Sequence, residues 1–241
     1  MGKVNLMTKA TVADIKVVSS NARGNILAKL KAEVKGAHYD KLPEESPYIY
    51  PEFSHQENLA QFVAELEKNH AQVIKTTKGL MAEVIREQLK ALNIDKLLHG
   101  EGDAYHEVLT QLKASKVELQ AYDFSIDNNK ELLFNECPAA LSSSRCSIAA
   151  TGSIVLWPDE NEPRSLSLVP PVHFVIVDAN KLYADFARLI AANEWQNKLP
   201  TNVVLISGPS KTADIQQTLA YGAHGPKALI VLLMNSEEAR K

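Results

Sequence analysis

Between residues 56 and 121 apolar residues recur by turns at helical spacing and in short unbroken runs, and this rhythm narrows the fold more than any other feature. Leu59, Phe62, Val63 and Leu66 share one helical face, and 71–74 is a short strand candidate. Leu80, Met81, Val84, Ile85, Leu89 and Leu92 mark a second helix, followed by a strand at 94–98. Residues 102–114 and 117–121 repeat the pair. Helices of about 10–14 residues alternating with strands of about five predict βαβ units, whose strands pair in parallel. The expectation is an α/β fold with a mainly parallel sheet.

The flanking segments are read in the same way. Residues 1–20 carry no clear pattern and read as a tail. Ala22, Ile26, Leu27, Leu30 and Val34 predict an amphipathic helix over about 22–35. The stretch 36–55 holds Pro43, Pro47 and Pro51 among Tyr39, Tyr48, Tyr50 and Phe53, and proline at that density blocks a helix. The chain is therefore divided into a tail, helix and Pro/Tyr-rich arm at 1–55 and an α/β domain at 56–241. Further on, 132–135 reads as a strand, the Ala- and Ser-rich 137–150 as a helix, 154–157 as a strand and 158–163 as a turn. Residues 172–177 read as a buried strand, and Leu182, Tyr183, Phe186, Leu189 and Ile190 as a helix ending near Trp195. The last unit is a strand at 203–206, a glycine turn, a helix, a second glycine turn and a strand at 228–234.

Composition removes several classes of function. The net charge of −3 gives no reason to expect nucleic acid as a partner. No apolar stretch reaches the roughly 18–20 residues of a membrane span, and no signal-peptide core follows the N-terminus, so the expected location is the cytoplasm. The two cysteines, Cys137 and Cys146, read as reduced thiols and cannot supply a four-cysteine iron–sulfur cluster. The histidines show no metal-ligand spacing, so no metal and no cofactor is expected on this chain. Neither GxxxxGK[ST] nor GxSxG occurs, which argues against a P-loop NTPase and a serine hydrolase.

The chemistry-bearing candidates cluster in two places. Ser207, Gly208, Pro209, Ser210, Lys211 and Thr212 follow the 203–206 strand and open the expected helix. Free N–H groups at a helix start attract anions, and Lys211 adds charge, with Arg145 or Arg164 as further cations. The same Ser, Thr and Asp214 also suit an ordinary well-capped helix. His224, beside Gly225 in the second turn, is either a weak candidate for acid–base catalysis or a lock on its turn. Thr151, Gly152 and Ser153 offer hydroxyls before another strand and are expected to face the 207–212 turn across one crevice, although a tight bend explains them equally. His173, starting a buried strand, reads as structural.

Four motifs in order resemble the LutC/YkgG family, lactate utilisation protein C, built on the LUD domain. They are Ile148-Ala-Ala-Thr-Gly-Ser153, Pro170-Pro171 with His173, Ser207-Gly-Pro-Ser-Lys-Thr-Ala-Asp-Ile215, and Gly222-Ala-His-Gly-Pro226. The resemblance implies a three-layer α/β/α domain similar to the NagB/RpiA/CoA-transferase-like fold. It also implies a role in oxidising L-lactate beside iron–sulfur partner proteins, and together with the candidate residues above the expectation is an accessory, non-redox component with a crevice for a small anion. A stand-alone transferase or isomerase acting on a sugar- or acyl-like substrate is one alternative, and a purely structural scaffold is another. One departure stands out: the family usually carries an acid just before the Thr-Gly pair, where this chain has Ala150.

Overall fold

The structure, a computed structural model, describes residues 12–36, 52–101, 103–195, 201–213, 219–221 and 225–234. The chain divides into two compact units, Met1–Ile49 and Tyr50–Lys241. In the first, helix α1 (Val12–Glu33) starts well upstream of the predicted 22–35. The apolar spacing read from the sequence begins only at Ala22, inside this helix. Most of the Pro/Tyr-rich arm lies outside the described residues.

The second unit opens with α2 (His55–Lys68), started by a capping box. The Ser54 hydroxyl accepts from the Glu57 N–H, and the Glu57 carboxylate accepts from the Ser54 N–H at 2.8 Å. Two donors that a helix start leaves orphaned are thereby satisfied. The predicted rhythm follows as β1 (Gln72–Thr76), α3 (Met81–Ala91), β2 (Lys96–His99), α4 (Asp103–Lys113) and β3 (Glu118–Ala121). Residues 132–136 then form one turn of π-helix instead of a strand. The expected helix at 137–150 is replaced by two strands, β4 (Ala139–Ser143) and β5 (Cys146–Ile148). Ala139, Ala140 and Leu141 are wholly buried in mid-sheet, where tertiary packing overrides the helical propensity of alanine.

The remaining elements are β6 (Ser153–Leu156), α5 (Arg164–Leu168), β7 (Val172–Asp178), β8 (Leu182–Tyr183), α6 (Phe186–Ala192), β9 (Val204–Ile206), β10 (Lys211–Ala213), β11 (Leu219–Tyr221) and β12 (Ala228–Met234). Six strands form one sheet in the order β1-β12-β7-β4-β2-β3, and every neighbouring pair is parallel. On one face α3 and α4 bury Ile85, Leu89, Val108 and Leu112 against Leu141, Phe174 and Leu232. On the other face α2 packs Phe62 and Leu66 against Val175, Val231 and Leu233. That layer is completed by a second sheet, ordered β8-β5-β6-β9. Each fully buried Leu or Phe contributes about 1.5–3 kcal/mol, so these clusters dominate the stability of the unit.

Two consequences bear on the site. Parallel pairing gathers Ser143, Asp178 and Met234 at one end of the main sheet, and Pro138, Pro171 and Lys227 at the other. The 203–206 strand, expected to lead into a helix, instead joins the second sheet antiparallel to β6. Lys211–Ala213 is strand, paired antiparallel with Leu219–Tyr221, and not the first turn of a helix. The Ser210 N–H donates to the Pro226 carbonyl at 2.8 Å, which ties this segment to the 225–226 turn in extended form.

Candidate functional site

In open α/β sheets, ligands sit beyond the C-terminal ends of the strands. At that end lies a crevice of about 620 Å³. Ser143 (end of β4), Asp178 (end of β7) and Met234 (end of β12) form its floor, with Lys78 at one wall and Arg145, Trp157 and Lys181 among its other lining groups. The exposed Arg145 guanidinium lies over the Trp157 ring, 5.5 Å from its centroid. Stacking of this kind holds the side chain in one orientation.

Most crevice charges are engaged. Lys78 pairs with Glu107 at 2.8 Å. Asp159 accepts from the N–H groups of Asn161 and Glu162, and Asp178 accepts from Asn180. Among the described residues neither Arg145 nor Lys181 forms an ion pair.

Glu162 is held by a residue distant in the chain. Its carboxylate accepts from the Ser143 N–H at 3.0 Å and from the Ser143 hydroxyl at 2.5 Å. A Cβ on Gly100 would lie 2.6 Å from the Glu162 Cγ, so glycine is what lets the 159–162 turn sit this close. The Tyr105 hydroxyl, buried in the same corner, has no hydrogen-bond partner of good geometry among the described residues. Burial pushes the Glu162 carboxyl above its ordinary range, with the Ser143 hydrogen bond opposing. Burial, and then the Glu162 charge, push Tyr105 upward as well. From the sequence this turn was only a turn. Its chemical interest comes from Ser143 and Tyr105, which the fold brings to it.

Of the residues singled out from the sequence, Arg145 lines the crevice, whereas the described residues of the 151–153 and 207–212 segments do not. Pairing of β6 with β9 does bring the Thr151–Ser153 and Ser207–Gly208 segments to one place, the C-terminal end of α2. Gly152 has φ +57°, and a Cβ there would come within 2.7 Å of the Glu65 Cβ. A Cβ on Gly208 would come within 2.7 Å of the Asn69 carbonyl oxygen. Thr151 and Ser153 join their hydroxyls at 2.7 Å. A helix C-terminus carries partial negative charge, the opposite of what an anion requires. Ser207 and Lys211 are exposed, Pro209 is buried, and Gly225 packs against Ser210. Thr212 is described by its backbone in β10 alone, and His224 lies outside the described residues. Ala150 donates its N–H to the Ala184 carbonyl at 2.9 Å.

His173 is wholly buried, with Nε2 2.6 Å from the Ser142 hydroxyl, and burial alone pushes its pKa down to about 4. Cys137 and Cys146 are buried, and burial pushes both thiols up, Cys146 to about 11. Neither is therefore a ready thiolate near neutral pH.

A family model described as the LUD domain matches residues 59–234. This chain belongs to the LUD-domain family. That span covers the main sheet, α2 from Leu59 onward and the second sheet. Similar proteins include an uncharacterized protein from Neisseria meningitidis serogroup B, 38% identical over 222 residues and covering 88% of this chain and 93% of its own. A lactate utilization protein C from Macrococcus caseolyticus is 29% identical over 201 residues, 71% of this chain and 87% of its own. Its namesake from Bacillus subtilis is 25% identical over 180 residues, 69% and 74% of the two chains. These relatives place this LUD-domain protein in the LutC/YkgG group. The crystal structure of a DUF162 family protein from Deinococcus radiodurans shares the fold, with a TM-score of 0.56 at 19% identity over 76% of this chain and 100% of that one. Among the described residues, no helix is long and apolar enough to cross a membrane.

Proposed function

We propose that this LUD-domain protein serves L-lactate utilisation as a non-redox component, and that its crevice holds a small anionic ligand while iron–sulfur proteins carry the electrons. The names of the relatives support the pathway. The observation that carries the ligand reading is Arg145, held on Trp157 with no ion pair among the described residues and facing a crevice whose acids are already hydrogen-bonded. An unpaired guanidinium is suited to a carboxylate or phosphate, which it binds through two parallel N–H donors. With only two cysteines, both buried, electron transfer fits partner proteins better than this chain.

The size of the crevice guides the test. Sites of about 300–1,000 Å³ take ligands well beyond three carbons, so larger carboxylates belong beside L-lactate and pyruvate in a calorimetric titration. Losing a hydrogen bond to a charged group costs about 1.5–3 kcal/mol, so Arg145→Ala should weaken binding about ten- to hundredfold. Lys211→Ala, at the other end of the sheet, should leave it unchanged. Equal affinities for wild type and Arg145→Ala would remove the crevice as the site. Loss on Lys211→Ala alone would move it to the 207–212 segment. In cells, a strain lacking this protein should lose growth on L-lactate and regain it with the wild-type chain but not with Arg145→Ala.

A further inference from the structure

A crevice that only held an anion would need no positioned acid beside its cations, yet Glu162 is held there by Ser143, a residue 19 positions away in the chain. Its turn is tied by Asp159 to two backbone N–H groups and by the Asn161 carbonyl to the Glu101 N–H at 2.9 Å. Both carboxylate oxygens are aimed by Ser143 at the end of the central strand β4. Each carboxylate oxygen has two acceptor sites and takes one bond from Ser143, the Tyr105 hydroxyl lies beside the group, and Glu162 lines the crevice. The other crevice acids are differently placed: Glu107 is neutralised by Lys78, and Asp159 and Asp178 cap their own turns. Among the described residues no cation pairs with Glu162.

Building on the ligand reading above, we infer that the crevice is a proton-transfer site in which Glu162 is the base, acting on a 2-oxo acid. The ligand carboxylate rests on Arg145 and Lys181. Glu162 takes a proton from the carbon flanking the carbonyl. The C–H bond breaks, an O–H bond forms on Glu162, and the electron pair becomes the C=C of an enolate, whose new negative oxygen the same cations stabilise. Return of a proton to carbon restores the 2-oxo acid and the carboxylate, so no oxidant or second substrate is consumed. A base whose pKa is raised by burial loses less driving force at each transfer, which agrees with the direction found for Glu162.

The experiment uses the purified full chain in D₂O with pyruvate and 2-oxobutyrate. Proton NMR follows loss of the signal beside the carbonyl, and calorimetry follows binding of the same acids. Wild type should exchange faster than buffer, and Glu162→Gln should slow exchange about hundredfold while still binding. Glu162→Asp withdraws the carboxylate by one methylene and should slow exchange at least tenfold, which keeps the test open should Glu162→Gln fail to fold. Binding without exchange in wild type would overturn the proton-transfer role and leave the ligand reading intact. Exchange at wild-type rate in either variant would overturn the assignment to Glu162. Absence of binding would overturn both.

Discussion

His173 illustrates how burial, and not residue type, decides what a titratable group does here. It lies wholly inside the sheet, and among the described residues its one polar contact is Ser142 and its Nδ1 has no partner. The folded protein therefore holds the ring neutral, with a pKa lowered to about 4, while the unfolded chain titrates near 6.5. Between those values the unfolded state binds the extra proton, so stability falls as pH drops through that window and levels off below it. Chemical denaturation from pH 7 to 4 should show this loss, at most about 3 kcal/mol from this group. His173→Gln, which keeps a polar partner for Ser142, should flatten the slope. An unchanged slope would show that His173 does not titrate as its burial requires. The sequence reading of His173 as structural rested on its place at the start of a buried strand. Glu162 gave no comparable signal, because nothing in Asp159-Glu-Asn-Glu162 reveals that Ser143 will reach across to it.

At the level of elements, the pattern of apolar residues was readable wherever an element packs one face and was misleading where it packs two. Helices α2, α3 and α4 each bury a single stripe and fall where the periodicity puts them. Strand β4 is buried on both faces, so its Ala-Ala-Leu-Ser-Ser carries no alternation and reads as helix. The glycine motifs were visible, but their reason was not. Gly152 and Gly208 let two turns of the second sheet close onto the last turn of α2, a contact that no local pattern encodes. Gly152→Ala should therefore cost about 2–4 kcal/mol, from its left-handed backbone and the clash with Glu65, lowering Tm by roughly 5–10 °C. Calorimetric melting checks it. A Tm within a degree of wild type would mean that the turn is not packed on α2 as described.

For the whole molecule, the alternating rhythm was enough to predict a parallel α/β sheet, because parallel strands need helical crossovers and the chain supplies them. It could not say which strands leave that sheet. Strand β9 looks like any buried parallel strand in sequence, yet it runs antiparallel in the second sheet. That one difference moves the 207–212 segment from the C-terminal end of the main sheet's strands to the C-terminal end of α2, while Ser143, Arg145, Trp157 and Glu162 line the crevice. Hydrogen–deuterium exchange of the full chain with and without saturating pyruvate separates the two ends most directly. Protection is predicted at 143–145 and 157–162, with 151–153 and 207–211 unchanged. Protection confined to 151–153 and 207–211 would contradict the crevice as the binding site.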